Sequence, residues 1–183
     1  MFDNYLIEHC SPTLANLKTA NLFRLSGVSK EELEIWAEER NREMGEKGIT
    51  ILPLTYSNGS ALIYVCRKKR LKMDWEKDGV LEYLTNCGYC DFTADGAIRH
   101  LAGRICESQE FPHEIGLFLG YPLADVVGFV ENKGKNCLCT GFWKVYGDEQ
   151  EAKKQFARYQ KCREIYARLF ENGRSLGKLT VAA

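Results

Sequence analysis

Residues 49–67 read ITILPLTYSNGSALIYVCR. Two apolar, β-rich runs, 49–55 and 61–67, flank Ser57-Asn58-Gly59-Ser60. Asn-Gly between such runs is a strong hairpin signal, because the tight turn needs positive φ at both central residues. Both runs are nearly continuous in apolar residues, so the sheet they start is expected to be covered on both faces. Pro53 cannot donate to a ladder, which places its strand at an edge or a bulge. A third strand is expected at 140–146, TGFWKVY.

The remaining patterns are mostly helical. Ser29 and Glu32 form a capping box, and Val28 with Leu33 forms a hydrophobic staple. Leu33, Trp36, Ala37 and Met44 then face inward, with Gly45 and Gly48 closing the helix. Ser11-Pro12 reads as a helix start, with Ser11 as N-cap and Pro12 at the first position. Leu14, Leu17, Leu22 and Leu25 give that helix its apolar side, and Gly27 ends it. The segment before it, 1–9, reads as a short helix, with a strand as the alternative. Helices are also expected over 77–86, with Leu81 and Leu84 inward, and after Thr93, carrying Ile98, Leu101 and Ile105. The last long helix begins at Asp148, with Ala152, Phe156, Tyr159, Cys162, Tyr166 and Phe170 as its stripe. Gly173 ends it, and 176–181 is an extended tail.

Residues 111–134, FPHEIGLFLGYPLADVVGFVENKG, read as two short helices joined by Gly120-Tyr121-Pro122. Pro112 and Pro122 suit first helical positions, and Gly120 and Gly134 suit left-handed stops. Phe111, Ile115, Phe118 and Leu119 form one stripe, and Leu123, Val126, Val127 and Val130 another. The run 115–121 is also compatible with a buried strand. This pair is expected at the centre of the core, packed on the sheet. Together these elements predict an α+β fold, mostly helical around a small antiparallel sheet built on the 49–67 hairpin.

The 183 residues suit a single domain, and an apolar share of 45% allows a sizeable core. A formal net charge of zero gives no global pull towards nucleic acid or an anionic membrane. No apolar run approaches the roughly 20 residues of a membrane helix. The start, MFDNYLIEHC, lacks a basic region followed by a long apolar segment, so no signal peptide is read and a cytoplasmic location is expected. The eight cysteines are therefore expected as thiols, ligands or catalysts rather than disulfides. GxGxxG, Walker, GxSxG and HExxH motifs are all missing, which removes support for common nucleotide and hydrolase chemistry.

Four stretches carry a further resemblance. They are HCSPTLANLKTANLF at 9–23, the 111–134 segment, GFWKVY at 141–146, and YQKCREIY with NGRSLGKLTVA near the end. With these the chain resembles a family of uncharacterised proteins from anaerobic Gram-positive bacteria, the domain of unknown function DUF3793. The resemblance implies a single-domain bacterial protein and supplies no activity, cofactor or catalytic residue.

Candidate chemistry is read from the residues. Cys10 immediately before a helix N-terminus would have a lowered thiol pKa and an anion-attracting mouth. His9 is adjacent, Lys18 lies within two turns, and Ser11, Thr13 and Asn21 complete the expected pocket. His113, just after Pro112, would stay neutral at a helix start and serve as base or ligand, and with Cys10 and His9 would make a Cys–His constellation. The expectation is a small-anion-binding protein, with a thiol-dependent enzyme as its sharper form. An alternative is a non-catalytic protein whose basic surface docks an acidic partner, such as a redox or iron-related protein. Arg67, Lys68, Lys69, Arg70 and Lys72 form one basic patch for this; Lys154, Arg158 and Lys161 form another. Nucleic acid ranks low, since the aromatics fall on inward stripes rather than among the basic residues. A third reading uses Cys87, Cys90, Cys137 and Cys139 to hold zinc or an iron–sulfur cluster. The residues define neither reaction nor cofactor.

Overall fold

The computed structural model describes residues 2–107 and 111–183. The hairpin forms where the Asn-Gly turn places it. Strand β2 (Thr50–Ser57) turns through Asn58 (φ 50°) and Gly59 (φ 69°) into β3 (Ser60–Cys66). The ladder register shifts between Pro53 and Thr55, and β2 is an edge strand, so both expectations for Pro53 are met.

The third strand is not at 140–146. It is β1 (Ala20–Ser26), paired antiparallel to the other side of β3, so the order is β1-β3-β2. The segment near 140 instead folds into a separate two-stranded ladder, β4 (Cys139–Thr140) with β5 (Lys144–Val145). The helix expected from Ser11 to Gly27 is therefore wrong in its second half. Leu14, Leu17, Leu22 and Leu25 mimic helical spacing. In fact Phe23 and Leu25 point to one face of the sheet, while Ala20 and Leu22 pack with the cluster on the other. The apolar positions switch face midway, Ala20 and Leu22 on one and Phe23 and Leu25 on the other, with Arg24 and Ser26 exposed, so a strict two-residue alternation is lost.

The covered sheet separates two apolar clusters. Beneath it, Ala61, Ile63 and Val65 of β3 meet α1 (Asp3–Leu14), α2 (Lys30–Met44) and α9 (Leu176–Leu179). Above it, Tyr64 and Cys66 meet α3 (Lys68–Trp75), α4 (Val80–Asn86), α5 (Ala94–Glu107) and α6 (Ile115–Phe118). The capping box at Ser29 and Glu32 is present, with Val28 and Leu33 in the same cluster. The 111–134 segment packs above the sheet as expected, Tyr64 donating its hydroxyl to Phe118 O at 2.6 Å. Its helices are shorter than predicted. Pro112 precedes α6 by a turn, and Pro122 is the N-cap of α7 (Leu123–Glu131) rather than its first residue. Val130 is exposed, as is Leu81 of α4. Asp148 caps α8 (Glu149–Glu171) by accepting from Glu151 N. The tail beyond Gly173 holds a short helical turn, α9, before Thr180 becomes extended.

One side chain ties these parts together. Arg67, read from the sequence as surface charge, is fully buried at the end of β3. Its Nε donates to Thr13 O at 2.7 Å, Nη1 to Lys47 O at 2.9 Å, and Nη2 to Leu14 O at 2.8 Å and Val181 O at 2.7 Å. The planar fork thus joins the end of α1, the turn after α2 and the C-terminal tail. Burial, and then the neighbouring charge of Arg70, pull its pKa below the ordinary guanidinium value. Replacing it by Met would remove four hydrogen bonds at once, two of them fully buried, at a cost of about 3 kcal/mol. Urea unfolding of Arg67→Met is expected to show that loss. Arg67→Lys is expected to recover only a minor part, since three donors on a point charge cannot reproduce the fork.

Candidate functional site

The site grows from the way α1 ends. Pro12 sits inside its last turn, Ser11 donates its hydroxyl back to Ile7 O, and the helix stops at Leu14. Asn16 takes φ 58° and turns the chain towards β1. The residues expected at a helix N-terminus therefore stand at a C-terminus. The local dipole is reversed: free carbonyls rather than free N–H groups point out of this end. Cations gather on them. Arg67 takes Thr13 O and Leu14 O, and Arg70 donates from Nη1 to Asn16 O at 2.9 Å. The anion-attracting helix mouth predicted at Ser11 does not exist.

Lys18 follows in the connection to β1 and is almost wholly buried. Its Nζ donates to Ala20 O, and to Leu119 O at 3.0 Å, and stands 5.2 Å from the ring centre of Tyr121. Burial lowers its pKa from 10.5 to about 7, with Cys10 and Asp74 opposing the shift. Next to it, the Thr19 hydroxyl donates to Asp74 Oδ2, while Asp74 Oδ1 pairs with Lys77 at 2.6 Å. Gly120 lets the 119–121 chain close over this group. Its φ is +77°, and a Cβ there would stand 2.8 Å from Thr19.

Between these residues and α8 lies a cleft of about 520 Å³. Lys18, Arg70, Lys77 and Arg158 contribute positive charge to its walls, Asp74 and Asp78 negative charge, and Tyr121 and Tyr159 aromatic surface. A second hollow of about 850 Å³ adjoins it and shares Asn16, Arg70, Asp74 and Lys77. At the shared wall Asn16 Oδ1 and Arg70 Nε are buried without a hydrogen-bond partner among the described residues. Burial raises the Tyr159 hydroxyl pKa and takes that of Tyr121 up to about 12, so both phenols stay protonated near neutrality.

The structure scatters most residues that the sequence singled out. Cys10 lies in the lower core with Leu6 and Leu14, and burial pushes its thiol far above the ordinary value despite Lys18 nearby. Such a thiol is a hydrophobe rather than a nucleophile. His9 is half-exposed and stacks on Phe23 at 5.2 Å. His113 belongs to the other side of the sheet, lining a pocket with Ile115 and Val126, so the Cys–His constellation does not form. Ser11 and Thr13 are buried, and Thr13 donates to Asn21 Oδ1 at 2.7 Å rather than opening to a ligand. Lys18 alone of the predicted pocket reaches the cleft. Among the described residues no three His, Cys, Asp or Glu side chains gather as a metal ion would require, so Cys87, Cys90, Cys137 and Cys139 do not form one ligand set. Lys154, Arg158 and Lys161 are exposed along α8, as their stripe predicts, and Arg158 turns out to line the cleft. Asp74 and Tyr121 carried no recognisable signal, because only the closing of distant segments gives them a role.

The fold and site define an α+β protein with a basic, tyrosine-walled cleft beside its sheet. The chain matches the model of the family described as "Protein of unknown function (DUF3793)" over residues 6–180, and it belongs to that family. No curated protein and no solved structure matches it. No helix among the described residues is long and apolar enough to cross a membrane.

Lys18 makes stability depend on pH in a defined direction. The unfolded chain keeps this proton up to about 10.5, whereas the folded protein releases it near 7. Between these values the unfolded state binds more protons, so stability rises with pH. Cys10, whose pKa is raised on folding, acts in the opposite sense only above the ordinary thiol value of 9.0. Denaturant midpoints are therefore expected to climb from pH 7 to pH 9, and Lys18→Met should remove most of its share of that slope. A thiol reagent at pH 7 is expected to modify the exposed Cys90 and Cys106 and to spare Cys10 until the protein unfolds.

Proposed function

We propose that the protein binds a small anion in the cleft between α3, α8 and the 16–19 connection. One observation carries the reading: Arg70, Lys77 and Arg158, joined by Lys18 where it is protonated, face a single cleft with only two carboxylates. Arg70 is already tied to a backbone carbonyl, so it sets the potential of the site rather than reaching far into it, and Lys18 adds to that potential as the pH falls through about 7. Arg158 and Lys77 stand at its exposed rim; Lys77 is paired with Asp74, so Arg158 supplies the mobile donor. A guanidinium at such a rim can hold a carboxylate or phosphate through two parallel N–H bonds. The tyrosines add ring surface, their hydroxyls being donated to Phe142 O and Gln155 Oε1, and the shared wall with the larger hollow allows a ligand longer than the anionic group itself. The Cys10 thiol has no part in this reading.

Calorimetric titration with orthophosphate, and separately with citrate, tests it at low ionic strength. Saturable binding is expected, weakening as salt rises. Arg158→Ala should lower the affinity about tenfold, the loss of one charge-assisted contact. Lys154→Ala, on the same helix but outside the cleft, should leave it unchanged. Failure of both anions to bind, or equal effects of the two substitutions, would remove the proposal.

A further inference from the structure

His113 serves nothing in the cleft, yet it borders a pocket of its own. It has a volume of about 290 Å³ and lies between α7 and the small β4–β5 ladder. Phe129, Phe142, Trp143 and Tyr121 make most of its wall, with His113 and Lys144 as its cationic or proton-donating members. The volume equals about ten water molecules, which suits a ligand with one ring.

The rings are held before any ligand arrives. Trp143 stacks on Tyr121 at 4.7 Å and meets Phe156 edge-on at 4.6 Å. Its indole Nε1 donates to Asp125 Oδ2 at 2.7 Å. Asp125 Oδ1 accepts from Tyr146 N at 2.7 Å and Gly147 N at 2.8 Å. The buried carboxylate is thus spent on three N–H donors and anchors Trp143 and the end of the ladder. Gly128 permits the approach of that ladder, since a Cβ there would stand 2.4 Å from Tyr146. At the rim the position is different. Lys144 Nζ uses one N–H on Gly134 O at 2.7 Å and stands 5.9 Å from the centre of Phe129, which leaves ammonium N–H groups free. His113 lies edge-on to the same Phe129 at 5.1 Å.

We propose that this pocket is a second binding site, separate from the cleft, for a small planar aromatic carboxylate. The ring lies against Phe129, Phe142 and Trp143, and the carboxylate meets Lys144 Nζ, with an N–H of His113 as a second donor. None of these five side chains lines the anion cleft, so binding here does not depend on it. Charge decides the ligand: the Lys144 ammonium at the mouth is positive, and the one carboxylate among the lining residues is turned inward to its own partners.

Benzoate is the probe, with benzyl alcohol and benzylamine as ring-matched controls of different charge. In ¹⁵N-labelled protein with indole resonances assigned by triple resonance, benzoate is expected to shift the Trp143 Nε1–H signal saturably and to leave Trp36 and Trp75 in place. Benzyl alcohol should bind about tenfold more weakly, and benzylamine more weakly still. Lys144→Met, at an exposed position, should bring benzoate down to the level of the alcohol while the other indole signals stay at their native positions. Arg158→Ala, in the cleft, should change nothing here. Tighter binding of benzylamine would show that the pocket reads Asp125, and would overturn the proposal. An unmoved Trp143 signal, or benzoate affinity indifferent to Lys144→Met, would overturn it equally.

Discussion

A buried guanidinium holding four carbonyl oxygens is the constraint on which the structure turns. Arg67 sits where the central strand ends, and its donors reach the last turn of α1, the turn after α2 and the C-terminal tail. Those three pieces are far apart in sequence. Each has carbonyls that would be costly to bury alone, because an unpaired polar group loses its water without replacement. Arg67 satisfies all of them at one point. The same arrangement sets the path from α1 into β1, and that path carries Lys18 and Thr19 to the cleft.

The polarity of α1 decides what can happen there. A helix start would have offered N–H groups to an anion and lowered a neighbouring thiol pKa. The end that is present offers carbonyls, and it recruits Arg67 and Arg70 as their partners. Cys10 is sealed in the core beneath. Positive charge therefore accumulates beside this helix end for a structural reason first. The surplus that faces the cleft is what remains after the carbonyls are served, together with Lys77 and Arg158 from elements that arrive from elsewhere in the chain.

Local rules read well where a signal and its consequence lie within a few residues. The capping box at Ser29, the Asn58-Gly59 turn, the irregular ladder at Pro53 and the cap at Asp148 are all of this kind. The error at residues 11–27 has one cause. A short run whose apolar positions switch face midway fits a helical stripe as well as a strand, and Ser-Pro fits a helix start as well as an interior back-bonding serine followed by a tolerated proline. Lys18 was the one member of the predicted pocket that the cleft retained, and it was chosen for its charge rather than its neighbours. Arg67 reads as surface charge in the sequence because a run of basic residues looks the same whether or not one of them points inward.

The sequence by itself determined the α+β class, the hairpin that nucleates the sheet, the caps of the long helices and membership of a specific family. These follow from backbone preferences and hydrophobic spacing, which act over one or two turns. Only the tertiary structure decided that β1 completes the sheet, that Arg67 is a buried staple, that Cys10 and His113 stay apart, and that Lys18, Asp74, Tyr121 and Arg158 share a cleft. Those outcomes depend on which distant carbonyls, rings and charges meet when two layers of helices close over both faces of the sheet, and no spacing along the chain encodes that meeting directly.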